Sequence, residues 1–227
     1  MEEVAQASKV EQEDMGALVQ FPVKRPRSVA PKEPQPKKGT SPNKGHAASG
    51  RTREYMTESE VGQLLEAAKK TAQNGWRNYC IVLMMFRHGL RVSEAADLRW
   101  TDIDFAEGTI FIRRLKGSKS TTHFLDGLEM RALKRLQREQ PQSPYLFVDR
   151  DGKPLAGTAI ASMIKRLGKD LFSFPIHSHM LRHSCGHALA MKGTDTRTLQ
   201  DYLGHRCIQH TERYTQLSPI KFKGLWG

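Results

Sequence analysis

The chain has 227 residues, enough for one ordinary globular domain with an appendage. Lys and Arg outnumber Asp and Glu by 36 to 24, and the formal net charge of +12 points to a polyanionic partner, either nucleic acid or an anionic membrane face. A membrane span is excluded, because the longest apolar run, Cys80 to Phe86, is seven residues where a spanning helix needs about 20, and the acidic opening Met1-Glu2-Glu3 is unlike a signal peptide.

Residues 1–53 hold Pro22, Pro26, Pro31, Pro34, Pro36 and Pro42 among Lys, Ser, Gly and Gln, with almost no apolar periodicity. Such a stretch buries too little surface to offset its ordering entropy and reads as a disordered basic tail and solvated linker. It carries 10 basic and 6 acidic residues, which leaves 26 and 18 for residues 54–227, so both parts are basic. Order is expected from Thr57-Glu58-Ser59-Glu60, which has capping-box spacing, and Val61, Leu64, Leu65 and Ala68 continue it as an amphipathic helix of about four turns. A second helix is predicted over about 76–88 with Gly89 as its stop, and a short third from Ser93-Glu94 to near Leu98. The β-prone runs 109–112 and 120–124 flank Lys116-Gly117-Ser118-Lys119 and read as a hairpin. Further helices are predicted over about 127–139, 157–168, 179–191, 195–203 and 207–214, without an internal repeat. The fold class is therefore mainly α with a small antiparallel β-sheet (α+β). Trp76, Trp100, Leu83, Met84, Met85 and Phe86 are expected in the core.

Three polar clusters stand out: Arg91-Val92-Ser93-Glu94, His179-Met180-Leu181-Arg182-His183, and Leu203-Gly204-His205 followed nine positions after the histidine by Tyr214. Each alone is common by chance. Together, with a lysine-bearing hairpin between the first two, they supply what a phosphodiester transesterification needs. Its transition state spreads negative charge over nonbridging oxygens, which a pair of guanidinium groups neutralises through bidentate hydrogen bonds, and Arg91 and Arg182 are the candidates. His179, three residues before Arg182, is placed to bond the same oxygens or move a proton. Tyr214 is a candidate nucleophile, given cationic neighbours that favour phenolate or a base that takes its proton. The departing 5′-oxygen needs a proton, which an ammonium on the hairpin can deliver, with Lys116 the first choice and Lys119 the second.

In this order and spacing the motifs resemble the tyrosine recombinases, the lambda-integrase family, over roughly residues 55–216. The wording of His179 to Gly186 and of Asp195 to Arg206 is most similar to the fimbrial phase-switch DNA invertases. The resemblance implies the catalytic-domain architecture of that family over 54–227, ending in a short C-terminal exchange segment. It further implies that Arg91 and Arg182 bind the scissile phosphate, Lys116 protonates the leaving 5′-hydroxyl, His179 acts in acid/base catalysis and His205 hydrogen-bonds the phosphate. Tyr214 would form a 3′-phosphotyrosyl intermediate, with Glu94, Lys119 and His183 in support. No metal, nucleotide or other cofactor is implied. The partners implied are double-stranded DNA with a specific recombination site, a homo-tetramer on paired sites and accessory DNA-bending proteins, but no membrane. The implied location is the cytoplasm, nucleoid-associated, for a protein that is bacterial or mobile-element encoded. The outcome of such an enzyme is inversion, integration or excision.

Two other readings compete. His179, His183 and His187 recur at i, i+4 and i+8 near His177 and Cys185, as zinc ligands would, but the HExxH glutamate and any CxxC are missing. The same fold without catalysis would be an architectural or regulatory DNA-binding protein, yet no expected catalytic group is absent. Cys80, Cys185 and Cys207 fit a reducing compartment, and the last two are expected to be small buried hydrophobes. Arg131, Lys134, Arg135 and Arg138 form either a backbone-tracking stripe or a solvated face, and Lys165, Arg166 and Lys169 lie on a helix suited to the major groove.

Overall fold

A computed structural model describes residues 53–114 and 118–216. The expectations for the tail up to residue 52, for Lys116 and for the apolar segment 217–227 lie outside the described residues.

The described chain runs α1 (Glu58–Lys69), α2 (Gly75–Arg87), α3 (Val92–Ala96), a 3-10 turn (Trp100–Asp102), β1 (Ile103–Asp104), β2 (Thr109–Ile112), β3 (Thr121–Phe124), α4 (Gly127–Glu139), α5 (Gly157–Lys169), α6 (Ser178–Met191), α7 (Thr196–Leu203) and α8 (Gln209–Thr215). The fold is mainly α with a small antiparallel sheet, as expected. Local chemistry sets the helix starts. Thr57 and Glu60 exchange bonds as a capping box at α1, Asp126 and Glu129 do the same at α4, and Asp195 accepts the first amides of α7. Helix α2 is the central post: Cys80 through Met85 are all buried, and α1, α4, α5 and α6 pack around it. Such a run cannot face water, so it needs neighbours on every side.

The hairpin forms in the register Thr109↔Phe124 through Ile112↔Thr121. A third strand, β1, pairs with the outer edge of β2 at Ile103↔Ile110. Two residues carry no alternation to read, so the sequence gives no sign of β1. Leu83, Met84 and Met85 lie in the core, whereas Trp76, Phe86 and Trp100 are only half-buried against it. Trp76 keeps its indole N–H on the Ala132 carbonyl at 3.1 Å, which holds one ring edge near the surface. Cys185 is buried and its thiol is pushed up to about 12, but Cys207 is partly open on the α7–α8 connection, so the expectation of burial fails there. Among the described residues no helix is long and apolar enough to cross a membrane.

Gly89 turns the chain from α2 into the first polar cluster. Its φ is +57°, and its N–H bonds Phe86 O while Leu90 N–H bonds Met85 O, the paired bonds of a Schellman stop. A Cβ at this position would sit 2.5 Å from Leu203 Cδ2. Gly89→Ala therefore combines a left-handed backbone with a clash, and thermal unfolding should show a loss of about 1–3 kcal/mol.

Candidate active site

Glu94 sits in the first turn of α3 with its side chain 1% exposed. Its Oε2 accepts the Arg91 amide at 2.9 Å, its Oε1 accepts Arg91 Nη1 at 2.6 Å, and Oε2 also accepts Arg114 Nη1 at 2.7 Å. Arg182 Nη1 lies 3.9 Å from the same carboxylate. Three guanidinium groups thus converge on one buried anion. Burial alone would raise the Glu94 pKa, but the Arg114 charge and the bonds from Arg91 and Arg114 hold it below the usual carboxylate range.

Arg182 and Arg114 staple the same two turns. Arg182 donates to Gly89 O at 2.5 Å and to Leu203 O at 2.6 Å. Arg114 donates to His88 O at 3.1 Å, to Tyr202 O at 2.9 Å and to Gly89 O at 3.4 Å. The turn before α3 and the end of α7 are therefore tied through guanidinium groups, which bring Arg91 and His205 to one place. Burial, then the Arg114 and Arg91 charges, lower Arg182 to about 10, so it stays cationic at pH 7. A guanidinium has five N–H donors, and those not given to carbonyls remain for an anion.

Tyr214, on α8, is 2% exposed and belongs to a small apolar cluster with Cys185, Leu199 and Leu203. Its ring lies over Gly186, where a Cβ would come within 2.8 Å of it. Its Oη is 2.8 Å from His183 Nδ1, its ring stands edge-on to His187 at 5.2 Å, and His205 stacks at 6.2 Å. Burial raises the Tyr214 pKa above the phenol value despite the opposing charges of Arg182 and Arg213. Arg182 and Arg213 do favour phenolate, as expected, but desolvation outweighs them, so of the two routes to an active phenol it is the base that this site requires. His183 is that neighbour, and burial, then His179 and Arg213, push it down to about 3, leaving a neutral acceptor.

His179 is exposed, edge-on to His183 at 4.6 Å, with its pKa lowered by desolvation of part of the ring and by Arg182. His205 is pushed down to about 3 by burial, then Arg182 and Arg91, and its Nδ1 meets Thr211 Oγ1 at 2.8 Å. Arg91, Glu94, His179, Arg182, His183, His205 and Tyr214 are therefore gathered. Lys119 is not joined to the guanidinium cluster by an ion pair; its Nζ lies at the surface, 3.8 Å from Asp201. The three α6 histidines share a face, as their spacing implies, but surround the tyrosine, and among the described residues no three His, Cys, Asp or Glu side chains group as metal ligands.

Sequence reasoning missed Arg114, which reads as hairpin charge. Its strand parity with Ile110 and Ile112 was the available signal, since alternation puts all three inward. It also missed the segment before α1, which straps over α6 and α8. Glu54 pairs with Arg213, Tyr55 stacks on His187 at 3.7 Å, and Met56 N–H donates to Ser184 Oγ at 2.8 Å. The two basic stripes are exposed on α4 and α5, although Arg135 already lies 3.9 Å over the Trp76 ring and pairs with Glu139.

A helical domain with a small sheet, gathering two arginines, a histidine pair and a buried tyrosine, defines the catalytic domain of a tyrosine recombinase. The phage integrase family model matches residues 54–220, and this chain belongs to that family. It is 44% identical over 185 residues to the type 1 fimbriae regulatory protein FimB of Escherichia coli K12, covering 79% of this chain and 92% of that protein. It is 41% identical over 181 residues to FimE of the same strain, covering 77% and 91%. Among solved structures, XerA recombinase superposes with a TM-score of 0.65 at 28% identity, over 77% of this chain and 64% of that one, so this chain spans less than two thirds of it. A lambda integrase dimer bound to a core site shares the fold alone, with a TM-score of 0.60 at 19% identity over 74% of this chain and 49% of that one. The function is site-specific DNA recombination.

Two outcomes follow from the geometry. Gly186→Ala pushes a methyl group into the Tyr214 ring, so it should reduce covalent attachment to DNA by more than it lowers the melting temperature. Glu94 has a depressed folded-state pKa, so its contribution to stability is complete above the unfolded carboxylate value and is lost as pH falls through the folded one. Melting followed from pH 7 to pH 3 should show an acid slope that is shallower in Glu94→Gln.

Proposed function

We propose that the chain cuts and rejoins DNA through Tyr214. Tyr214 Oη attacks the scissile phosphorus, the bond from phosphorus to O5′ breaks, and a 3′-phosphotyrosyl enzyme and a free 5′-hydroxyl result. The 5′-hydroxyl of the partner strand then attacks the phosphotyrosine and returns the phenol. The observation that carries this reading is the 2.8 Å contact of Tyr214 Oη with a neutral His183 beside the converging arginines.

His183 Nδ1 takes the phenolic proton, and the exposed His179 stands edge-on to it. Arg91 and Arg182 hold the nonbridging oxygens, with Glu94 and Arg114 orienting them. When the Thr211 hydroxyl donates to His205 Nδ1, His205 Nε2–H is left to bond the phosphate. Lys116 protonates O5′, with Lys119 the second candidate. The phosphotyrosyl bond conserves the energy needed for religation, so side chains meet every requirement of the reaction and no cofactor is called for. The enzyme works as a tetramer on two paired sites, each subunit passing its segment after residue 216 to a neighbour. Residues 1–53 are a basic tail, the exposed cations of α4 and α5 track the duplex, accessory DNA-bending proteins assist the pairing, and the protein acts in the bacterial cytoplasm on nucleoid DNA.

The test begins with a recognition site selected by the full chain from a random duplex pool, remade as a nicked suicide duplex and run on a denaturing gel. A DNA-linked protein band that disappears in Tyr214→Phe is the expected result. Arg91→Lys and Arg182→Lys should each slow its formation about a hundredfold, because an ammonium lacks the bidentate fork. Binding without any covalent band would instead assign the chain an architectural or regulatory role on DNA.

A further inference from the structure

Two histidines that the reaction does not use lie buried beneath the site. His88 caps the end of α2, three residues before Arg91, and His123 is the only fully buried residue of β3. Their Nδ1 atoms are 3.1 Å apart. His88 Nε2 lies 3.1 Å from Glu129 Oε1, off the direction of a hydrogen bond. His123 Nε2 meets Thr121 Oγ1 at 2.9 Å, and its ring stacks on Tyr202 with centroids 3.9 Å apart and planes at 19°.

The two Nδ1 atoms bond through one proton, carried by either ring, and His123 Nε2 bonds the Thr121 hydroxyl as acceptor or donor according to the same choice. Burial, followed by the charges of His88 and Arg114, pushes His123 down to about 3, which keeps it neutral.

What these bonds join matters more than their number. Strand β3 is an edge, paired only with β2, and its neighbours Thr122 and Phe124 face out, Phe124 with 84% of its surface exposed. The first arm of the hairpin is anchored by buried Arg114, whose amide also closes the loop base by donating to Ser120 Oγ at 3.1 Å. The second arm hangs on His123. Through His88 it reaches the turn that leads to Arg91, and through Tyr202 it reaches the Leu203-Gly204-His205 turn.

We propose that His123 is a positioning residue for protonation of the leaving group: its bond to His88 and its stack on Tyr202 fix the hairpin strand against the turns that carry Arg91 and His205. This rests on the reading of Lys116 as the acid that protonates O5′. A nucleoside 5′-thiolate leaves without a proton, so replacing the bridging oxygen by sulfur removes the need for that acid and separates its misplacement from general damage.

Single-turnover cleavage is measured on the nicked duplex and on the same duplex with a 5′-bridging sulfur, for the full chain and for His123→Leu, His123→Asn and Lys116→Ala. His123→Leu and His123→Asn have nearly the same shape, but only the amide can hydrogen-bond to His88. His123→Leu should slow cleavage of the oxygen substrate about tenfold or more, out of the roughly 10²–10⁴ that positioned proton transfer supplies, and sulfur should restore it to within about threefold of the unsubstituted chain. His123→Asn should stay within about threefold on both substrates, and Lys116→Ala should behave like His123→Leu. Rescue of Lys116→Ala without rescue of His123→Leu overturns the positioning role and leaves the lysine reading intact. Rescue of His123→Leu alone moves the acid to another hairpin residue and keeps the role, and rescue of neither overturns both. Should His123→Leu fail to fold on thermal melting, His88→Leu removes the same bond from the other side and carries the same expectation.

Discussion

Glu94 is a carboxylate held out of water, and the arrangement of the site follows from what that burial demands. An ionised group in such surroundings persists only when paired and hydrogen-bonded, and removing one partner of such a pair typically costs about 3–5 kcal/mol. Arg91 and Arg114 bond it directly and Arg182 stands at 3.9 Å, so the carboxylate selects the positions of three side chains that come from different parts of the chain. The same guanidinium groups also occupy the carbonyls that end α2 and α7. With three cations around one anion, the cluster keeps an excess of positive charge, which is what a phosphodiester entering it would offset.

The buried tyrosine is governed by an opposing demand. Tyr214 is packed into an apolar cluster and over a glycine, so desolvation keeps its proton on even though Arg182 and Arg213 favour phenolate. Neutral histidines line it because buried imidazoles beside guanidinium groups do not take up a second proton near neutral pH. The ring is therefore stored as a phenol beside a ready acceptor. The strap from Glu54 to Met56 ties α6 and α8 to the residues just before α1.

Much of this was legible in the residues. The capping box at Thr57, the glycine stop at Gly89 and the apolar run in α2 are local signals whose physics acts within a few residues, and the helices fall within about two residues of where the sequence pattern puts them. The grouping of Arg91, His179, Arg182, His205 and Tyr214 was legible for a different reason: the reaction needs those chemical types, and they occur in a specific order. What escaped was whatever depends on a partner far along the chain. Two-residue β1 exists only because β2 offers an edge. Cys207 is only partly buried on the α7–α8 connection, and Trp76 is only half-buried with its N–H on the Ala132 carbonyl.

By itself the sequence determined the helical class, the positions of the helix ends and the residue types that phosphoryl transfer requires, since propensity, capping and chemical function reside in single residues or short runs. Only the tertiary structure decided that Arg114 belongs with Glu94, that His183 rather than His179 meets the phenol, and that His88 and His123 share a proton beneath the hairpin. The reason is physical. Desolvation and long-range pairing depend on what surrounds a group in space, and the same arginine or tyrosine is a surface charge or a buried centre according to neighbours that lie tens of residues away in the chain.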